Sequence, residues 1–396
     1  MIRKEIKEPV PALVLGGSVT ALGAARSLGP LGIPVHIACV PGEVAQYTRW
    51  GALLSGGLPE FTSVERLMDY LCKAPVDRMV LVPCSDTWAE TVASLPDSLV
   101  ERFPSFVSPL DVLRTLNDKE KFAQLVHKNA IAHPRTVFIH DVSDLDNQQF
   151  APDTQFFLKA RNSQRFIAKT GVKAYMVNSV AEARDRVKEL TAAGLGVVLQ
   201  EYIPGPATNH YFVDGFALEG GQVFARFARQ RLRMHPRNFG NSTFLTTIAP
   251  AGVPDIIDTV DRLIKAAGVK GIFSVELKRD ARTGIAKVIE VNARPWWYVH
   301  YATACGVNVV EMTYRAALGE PLPRFEGTYR VGRNCAYVRP DFRACRELRR
   351  ETGFSLMRGI ASWIGSEYMI FSLSDPLPWF HRLLVETRAS FRRIIH

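Results

Sequence analysis

The chain has 396 residues and a formal net charge of +10, and its hydrophobic fraction of 47% is typical of a globular protein. This length predicts two or three domains. No run of eighteen apolar residues occurs, which excludes a transmembrane helix, and residues 1–8 lack the apolar centre of a secretory signal. The six cysteines are scattered without a C-x-x-C pair, which indicates reduced thiols in a cytoplasmic protein rather than a zinc site.

The positive charge is concentrated in two stretches rather than in a tail or a lysine block. It is densest at 226–237 and again after Arg330. Nucleic acids, anionic membrane surfaces and small anionic ligands all attract such a protein. The sequence has no nucleic-acid-binding signature, so we expect small anionic ligands and no nucleic acid.

Strands alternate with helices in the first hundred residues. Strands are predicted at Ala12–Leu15, Val35–Ala38 and Met79–Val82, and helices at 21–28, 63–73 and after Asp86, which is expected to cap the third helix. This alternation is typical of a parallel, doubly wound sheet. Gly16 and Gly17 follow the first strand without the G-x-G-x-x-G spacing of a dinucleotide site, so a tight turn is the favoured interpretation.

The middle of the chain is predicted to contain further strands and helices. In chain order these are a helix at 117–128, strands at Phe156–Ala160 and Ala174–Val177, a helix at 180–193 and a strand at Val197–Tyr202. Strand-rich sequence at 210–248 is followed by a helix at 253–267, strands at Gly271–Lys278 and Ala286–Val291, and a helix at 309–318. Lys159 lies inside an apolar strand, where a lysine is costly unless an anion binds it or it reaches solvent at a sheet edge.

The most informative stretch, residues 274–294, has two β-like runs joined by a turn signal. A hairpin centred on this turn places Glu276 directly opposite Glu290. It also places Ser274 opposite Asn292. Because side chains two residues apart on a strand share a face, one face is predicted to carry Glu276, Glu290, Asn292 and Arg294. The other face is predicted to point toward a core through Val275, Leu277, Ile289 and Val291.

The acidic face of this hairpin predicts a metal site. Two carboxylates directly opposite each other on a sheet repel one another, and a cation between them removes that repulsion. Carboxylate and amide oxygens, without sulfur or imidazole, suit Mg²⁺, with Mn²⁺ as an alternative. Arg294 on the same face could hold a phosphate oxygen with both arms of its guanidinium. The alternative is a solvated sheet face whose acids have no ligand.

The order and spacing of these motifs resemble the ATP-grasp superfamily. The pattern Glu276…Glu290-x-Asn292-x-Arg294 resembles the metal-binding signature of that family. The segments at 118–119 and 134–136 resemble the entry to its ATP-binding region, and 200–205 resembles the hinge that holds adenine. The resemblance covers residues 12–318 and is strongest to carboxylate–amine ligases, including the D-aspartate ligase-like and carbamoyl-phosphate-synthase-like groups.

The resemblance implies a role for each matching residue. Contacts to ATP are implied for Lys119, Lys159, Gln200, Glu201, Ile203 and His210, the metal site for Glu276, Glu290 and Asn292, and catalysis for Arg294, Arg231 and Lys173. His210 could equally be an ordinary packed histidine, and Lys119 a solvated helix charge. Many relatives cover the phosphates with a glycine-rich loop, whereas 161–173 has one glycine, so the choice between Lys169 and Lys173 stays open.

The implied fold is a mixture of α/β and α+β parts. It comprises an N-terminal Rossmann-like domain at 1–115, a central ATP-grasp subdomain at 116–205, a C-terminal ATP-grasp subdomain with the metal site at 206–325, and a basic extension at 326–396. ATP is expected between the central and C-terminal subdomains. The implied activity is an ATP-dependent ligase that activates a carboxylate, joins it to an amine and releases ADP and phosphate. Transfer to a hydroxyl of a saccharide or lipid-linked precursor, or a non-catalytic ATP-binding module, are the alternatives.

Three further features bear on substrates and partners. Arg229, Arg231 and Arg233 share one face of an extended run, which predicts an anionic substrate unless neighbouring acids balance them. The aromatic run 296–298 could floor a pocket, but a place in the core is favoured. The predicted helix at 380–395 has an apolar stripe flanked by arginines, which permits peripheral membrane contact, although docking on the protein itself is favoured. A homodimer is left open.

Overall fold

The computed structural model describes residues 8–53, 64–74, 76–146, 148, 154–160, 169–170, 174–237 and 240–385. These residues form a parallel sheet of four strands, an antiparallel sheet of four strands and a mixed sheet of seven strands, in chain order. The predicted combination of a parallel N-terminal domain with antiparallel sheets after it is confirmed.

The first sheet is built from short apolar strands in the order β3-β2-β1-β4, and each neighbouring pair is parallel. Its strands are β1 (Ala12–Leu15), β2 (Val35–Ala38), β3 (Ala52–Leu53) and β4 (Val80–Pro83). The accompanying helices are α1 (Val19–Leu28), α2 (Val64–Lys73), α3 (Asp86–Ala93) and α4 (Asp97–Val100). The inner strand β1 is buried along its whole length, as expected for a parallel sheet.

Two helices of this domain begin at serine caps. Ser18 begins α1 and Ser85 begins α3, because each hydroxyl accepts a hydrogen bond from a backbone N–H in the first turn of its helix. The prediction that Asp86 caps α3 is therefore wrong. Its carboxylate instead accepts a hydrogen bond from Arg294 Nε at 2.7 Å, which links the first domain to the predicted metal signature.

The second sheet has the order β5-β8-β6-β7, and all of its pairs are antiparallel. Its strands are β5 (Thr136–Ile139), β6 (Phe156–Ala160), β7 (Ala174–Val177) and β8 (Val197–Glu201). The helices of this part of the chain are α5 (Leu110–Asn117), α6 (Lys119–Lys128) and α7 (Val180–Ala192). Phe156 and Leu199 are buried against α7. Asp118 caps α6, which places Lys119 at the first helical position.

The third sheet has the order β13-β12-β9-β10-β11-β14-β15. Its strands are β9 (His210–Ala217), β10 (Val223–His235), β11 (Asn241–Thr247), β12 (Gly271–Arg279), β13 (Ala286–Asn292), β14 (Asn334–Ala336) and β15 (Glu367–Tyr368). The helices are α8 (Pro254–Ala267), α9 (Val299–Cys305), α10 (Val309–Leu318), α11 (Val338–Thr352) and α12 (Leu356–Ala361). Only β14 and β15 form a parallel pair among the described strands of this sheet.

The C-terminal extension is joined to the rest of the protein. β14 pairs with β11, so residues after 326 add two strands to the sheet that carries the acidic hairpin. Asp375 accepts a hydrogen bond from Arg26 of α1 at 2.8 Å in a fully buried ion pair. His381 stacks on Tyr47 with ring centroids 3.7 Å apart. The described part of the final helix, residues 377–385, therefore docks on the protein, and the remainder of that predicted helix lies outside the described residues.

One apolar core continues from the parallel sheet into the seven-stranded sheet. It joins Val14 of β1 to Phe216 of β9, and it includes Trp296 and Tyr298. The favoured core position of this aromatic run is therefore confirmed for these two residues, while Trp297 is 44% exposed. Within the described chain, we find no helix with the length and apolar character needed to cross a membrane.

Candidate functional site

The hairpin formed by β12 and β13 has the predicted register. Glu276 pairs with Glu290, and Ser274 pairs with Asn292. A bulge beyond Glu276 then shifts the register, so Leu277 pairs with Val288. The prediction that Ile289 points to the core is therefore wrong, because Val288 takes that place and Ile289 lines a cleft.

A cleft of about 930 Å³ lies where the antiparallel sheet meets the seven-stranded sheet. From the central part of the chain it is lined by Lys119, His133, Thr136, Lys159, Gln200, Glu201 and Ile203. From the seven-stranded sheet it is lined by His210, Arg231, Glu276, Lys278, Glu290 and Asn292. The cleft thus brings together the predicted ATP, metal and Arg231 positions. Arg294 contacts the cleft-lining residues Asp86 and Asn292, and Lys173 lies outside the described residues.

Glu276 is held in place by two donors on neighbouring strands. Its Oε1 accepts hydrogen bonds from His210 Nδ1 at 2.9 Å and from Arg231 Nη2 at 3.1 Å. Burial alone would raise the pKa of Glu276, but Arg231 and then His210 lower it to about 2, so this carboxylate is charged at neutral pH. Burial lowers the pKa of His210 to about 4, so its imidazole is neutral and only Nε2 remains for a ligand.

Glu290 faces the cleft in a different environment. Asn292 Nδ2 donates to its Oε1 at 2.7 Å, and Asn292 Oδ1 in turn accepts from Arg294 Nη2 at 2.8 Å. Desolvation in the cleft, and then the opposing Glu276 carboxylate, raise the pKa of Glu290. The two acids therefore repel one another across the hairpin, as the sequence pattern predicts.

Arg294 is fixed by the first domain. Its Nε and Nη2 donate to the two carboxylate oxygens of Asp86 at 2.7 and 3.0 Å, a bidentate ion pair. Nη2 also reaches Asn292, so α3, through Asp86, helps to orient the amide of the predicted metal set. The predicted contact between Arg294 and a phosphate oxygen stays a prediction.

Two lysines bring positive charge to the opposite wall of the cleft. Lys159 Nζ donates to Gln200 Oε1 at 2.6 Å, and Gln200 Nε2 donates to Thr136 Oγ1 at 3.2 Å. Burial, and then the nearby Lys119 ammonium, lower the pKa of Lys159 to about 8. Burial also lowers the pKa of Lys119, and Glu290 opposes that shift. The cleft thus holds two ammonium groups, of which that of Lys159 is the more desolvated, and the acidic pair.

The predicted adenine hinge is tied to the acidic hairpin. Glu201 accepts hydrogen bonds from Lys287 Nζ and, at 2.6 Å, from Arg282 Nη2, both of which lie on the β12–β13 hairpin. The Ala281 N–H donates to the Pro204 carbonyl across the same junction. Among the described residues, the Ile203 N–H has no backbone acceptor, and Ile203 lines the cleft. A free N–H at a strand end is a suitable donor for a ring nitrogen of a bound base.

The donor set fits Mg²⁺. Within the described chain, Oε2 of Glu276 and Oε2 of Glu290 accept no hydrogen bond, and the Asn292 Oδ1 keeps a second lone pair. The described residues contain no group of three or more histidines, cysteines and acids that could hold a metal, but two carboxylates and an amide lie outside that definition. Mg²⁺ often takes one or two carboxylates and completes its shell with water and substrate phosphates.

The three arginines on β10 differ in the acid that each one binds and in whether they line the cleft. Arg229 is 3% exposed and pairs with Asp214, and Arg233 is 8% exposed and pairs with Asp341. For these two residues the alternative with neighbouring acids is correct, because each guanidinium is neutralised inside the fold. Arg231 alone of the three lines the cleft, next to Glu276.

Sequence analysis missed three residues of this site. Asp86 comes from a helix 208 positions before Arg294, so no local pattern connects the two. Lys287 on β13 donates hydrogen bonds to the carboxylate of Glu201 in the hinge. Lys278 lines the cleft two residues after Glu276, and the alternation of side chains along β12 could have revealed it.

Comparisons with known proteins extend these observations. A family described as "ATP-grasp in the biosynthetic pathway with Ter operon" matches residues 196–334. D-aspartate ligase of Enterococcus faecium (strain Aus0004) is 21% identical over 321 residues, which cover 77% of this chain and 76% of that protein. The crystal structure of L-amino acid ligase from Bacillus licheniformis aligns with a TM-score of 0.59 and 19% identity, covering 83% of this chain and 79% of the other. Phosphoribosylglycinamide synthetase from Anaerococcus prevotii aligns with a TM-score of 0.61 and 15% identity, covering 82% and 79%.

The chain has the fold of the ATP-grasp proteins. The matched segment at 196–334 contains the hinge, the β10 arginines and the whole acidic hairpin. The resemblance to the ATP-grasp superfamily, and within it to carboxylate–amine ligases, is confirmed by these relatives. At this level of identity the solved structures establish the fold.

Proposed function

We propose that this protein is an ATP-dependent carboxylate–amine ligase that forms an acyl phosphate and releases ADP and phosphate. One observation carries the proposal. The hinge, the lysine pair and the opposed carboxylates Glu276 and Glu290 line the same cleft of about 930 Å³. A nucleotide with a bound divalent cation requires these three kinds of group: the hinge for the base, the lysines for the phosphates and the carboxylates for the cation. The similarity to D-aspartate ligase and to L-amino acid ligase supports amide-bond formation.

In this proposal the nucleotide follows the cleft from the hinge to the hairpin. Backbone groups of Glu201 and Ile203 pair with the adenine edge, and His210 offers Nε2 to the ribose. Lys119 and Lys159 hold the phosphates; the ammonium group of Lys159 is the more desolvated of the two and gains most from an anionic partner. Gln200 positions Lys159 through their 2.6 Å hydrogen bond. Lys173, which directly precedes β7 in the sequence, is proposed to cover the phosphates.

A divalent cation suits the hairpin end of the cleft. Mg²⁺, or Mn²⁺ in its place, would be held by Glu276, Glu290 and Asn292 and would supply positive charge to the transferring phosphoryl group. Its presence would also neutralise the repulsion that raises the pKa of Glu290. Arg231 and His210 fix Glu276 before any ligand binds, so this oxygen donor is already oriented.

The first chemical step is phosphoryl transfer. A carboxylate oxygen of the substrate attacks the γ-phosphorus of ATP, and the bond to the β–γ bridging oxygen breaks as ADP leaves. This step needs aligned reactants and cations, and it needs no protein nucleophile. Lys159 and Arg294 provide such cations, and the carboxylate of Asp86 keeps the Arg294 guanidinium oriented.

The second step forms the amide. The acceptor amine attacks the carbonyl carbon of the acyl phosphate, the C–O bond to phosphate breaks, and phosphate leaves as the amine loses a proton. Arg231 is proposed to stabilise the oxyanion that develops on the carbonyl oxygen. It lines the cleft and keeps a fixed orientation because Nε donates to Ser242 Oγ at 2.8 Å.

An isotope experiment tests this mechanism. With a substrate labelled with oxygen-18 in its carboxylate, we expect one label in the released phosphate, because the attacking oxygen leaves with phosphorus. The screen begins with ADP release from a panel of amino acids and sugar acids paired with amines. Release of AMP and pyrophosphate would contradict the acyl phosphate.

Product analysis separates the remaining alternatives. An amide mass supports the ligase, whereas an ester mass would indicate transfer to a hydroxyl of a saccharide or lipid-linked precursor. ATP binding without substrate-dependent ADP release from any pair would indicate a non-catalytic module. The substrates are proposed to be small and anionic, and no nucleic acid partner is proposed. A cytoplasmic location is proposed because the six cysteines are free thiols.

A further inference from the structure

Lys278 is a buried lysine on the floor of the cleft. It lies on β12 two residues after Glu276, so the two side chains share a face of the strand. It is 6% exposed and lines the cleft. Its cross-strand neighbours are His210 on β9 and Lys287 on β13. Neither neighbour is an anion.

The carboxylates nearest to Lys278 are committed to other cations. Glu276 accepts from Arg231 and His210. Asp280 accepts from Arg282 and lies 3.6 Å from Lys287 Nζ. The negative charges of Glu276 and Asp280 are therefore largely neutralised by cations other than Lys278.

Within the described chain, the ammonium of Lys278 makes no hydrogen bond and no ion pair. The ammonium lies over the Tyr202 ring, whose centroid is 4.8 Å from Nζ. A buried cation without an anionic partner is costly, so the site favours a ligand that supplies one.

Two nearby lysines, Lys159 in the cleft and Lys287 on the adjacent strand β13, differ in this respect. Lys159 donates to Gln200 at 2.6 Å, and Lys287 donates to both oxygens of Glu201. Their ammonium groups are satisfied by the protein in the described structure. Lys278 instead combines burial, a place in the cleft and the absence of a described oxygen partner.

The position of Lys278 restricts which anion can reach it. Tyr202 belongs to the hinge proposed to bind adenine, and Glu276 belongs to the proposed metal site near the transferring phosphate. Lys278 lies between the hinge and the proposed metal site, because its ammonium contacts the Tyr202 ring and it is two residues from Glu276 on β12. In a nucleotide that spans the cleft, the anionic group closest to the base is the α-phosphate.

We propose that Lys278 binds the α-phosphate of the nucleotide. This inference rests on the proposed function, and it adds a phosphate contact on the floor of the cleft to those of Lys119 and Lys159. The side chain is long enough to turn its ammonium from the Tyr202 ring to a phosphate oxygen, where it forms a charge-assisted hydrogen bond.

The test compares AMP with adenosine, since the two ligands differ only in the α-phosphate. We expect the wild-type protein to bind AMP more tightly than adenosine in calorimetric titrations. In Lys278→Met, which keeps the aliphatic stem, the affinity for AMP should fall about 10–100-fold, the range given by the loss of one hydrogen bond to a charged group. The affinity for adenosine should stay the same.

Two further variants make the result specific. Lys278→Arg keeps the charge and should retain most of the preference for AMP over adenosine. Lys188→Met removes an exposed lysine of α7 and should change neither affinity. A urea unfolding curve for each variant shows that the compared proteins are folded, and Lys278→Gln replaces Lys278→Met if the latter does not fold.

The outcomes separate this inference from the proposed function. If the wild type binds no adenine nucleotide, the proposed function fails. If the wild type binds AMP and the folded Lys278→Met or Lys278→Gln variant binds it equally well, the proposed function survives and the Lys278 contact is wrong. An equal loss of affinity for AMP and adenosine would place Lys278 against the base and would also overturn the α-phosphate contact.

Discussion

Replacing Glu290 by glutamine should change stability and activity in opposite directions. Glu290 lies directly opposite Glu276, and its pKa is raised by desolvation and by that neighbour. When folding raises the pKa of a carboxyl group, ionisation of that group lowers the free energy of unfolding. At neutral pH the charge of Glu290 therefore destabilises the folded protein. The glutamine variant has no such charge. We expect its free energy of unfolding, without metal, to rise by about 0.2–1 kcal/mol, the range for opposed pairs on a sheet.

The same substitution should remove most of the activity. Glu290 provides one of the two proposed metal carboxylates, and an amide oxygen carries no net charge to hold Mg²⁺. Loss of one electrostatic contact to the reacting groups often lowers turnover by about 10²-fold or more. We therefore expect ADP release by Glu290→Gln to fall by at least that factor and to require a higher Mg²⁺ concentration.

Urea unfolding and ADP release at several Mg²⁺ concentrations measure both effects. Asp280→Asn is the matched control on the same hairpin, because Asp280 is buried and bound by Arg282 and Lys287. That variant should lose about 1–3 kcal/mol of stability, since it removes the charge of a fully buried carboxylate that accepts hydrogen bonds from Arg282. Full turnover of Glu290→Gln with unchanged Mg²⁺ dependence, or a loss of stability like that of the control, would refute the metal assignment.

Other regions of the chain lead to three further predictions. Asp341→Asn should lower the free energy of unfolding by about 3 kcal/mol, because Arg233 is buried and loses its charged partner; an unchanged urea midpoint would contradict this. Burial alone would raise the pKa of Glu201, but its hydrogen bonds, led by that from Lys287, lower the pKa below the ordinary value of 4.5. The ionised Glu201 carboxylate therefore stabilises the folded protein at neutral pH, and this contribution is lost as the pH falls below 4.5. In the Glu201→Gln variant, the free energy of unfolding, measured by urea titration at several pH values, should therefore fall less steeply with decreasing pH than in the wild type. The same pH dependence in both proteins would contradict this role of Glu201. Peripheral membrane contact by the final helix, the alternative to docking alone, predicts that the wild type floats with anionic vesicles and that Phe380→Asp combined with Leu384→Asp does not, because both side chains are exposed; a wild type that does not float would exclude that surface.

The register of the acidic hairpin could be predicted because its causes are local. A short turn fixes which residues face each other, and side chains alternate between two faces. Glu276 therefore met Glu290 as expected. The exception is the bulge at Ile289, because one extra residue breaks the alternation without any sign in the composition.

The partners of the arginines could not be predicted because they are fixed by the order of strands and helices. Arg229 finds Asp214 on β9, which is adjacent to β10 in the sheet. Arg233 finds Asp341 on α11, 108 positions later in the chain. A row of arginines has the same pattern in the sequence whether its charges meet a ligand or buried acids of the same protein.

The acid that holds each arginine distinguishes its role. Asp214 and Asp341 are fully buried, so the charges of Arg229 and Arg233 are neutralised where no ligand can reach them. Glu276 differs, because one of its oxygens holds Arg231 while the other is left for the proposed metal. A cation bound to Glu276 would draw electron density from the oxygen that holds Arg231 and weaken that ion pair. The guanidinium of Arg231 would then bind a new anion more strongly, so in this cleft the metal and the oxyanion contact act together.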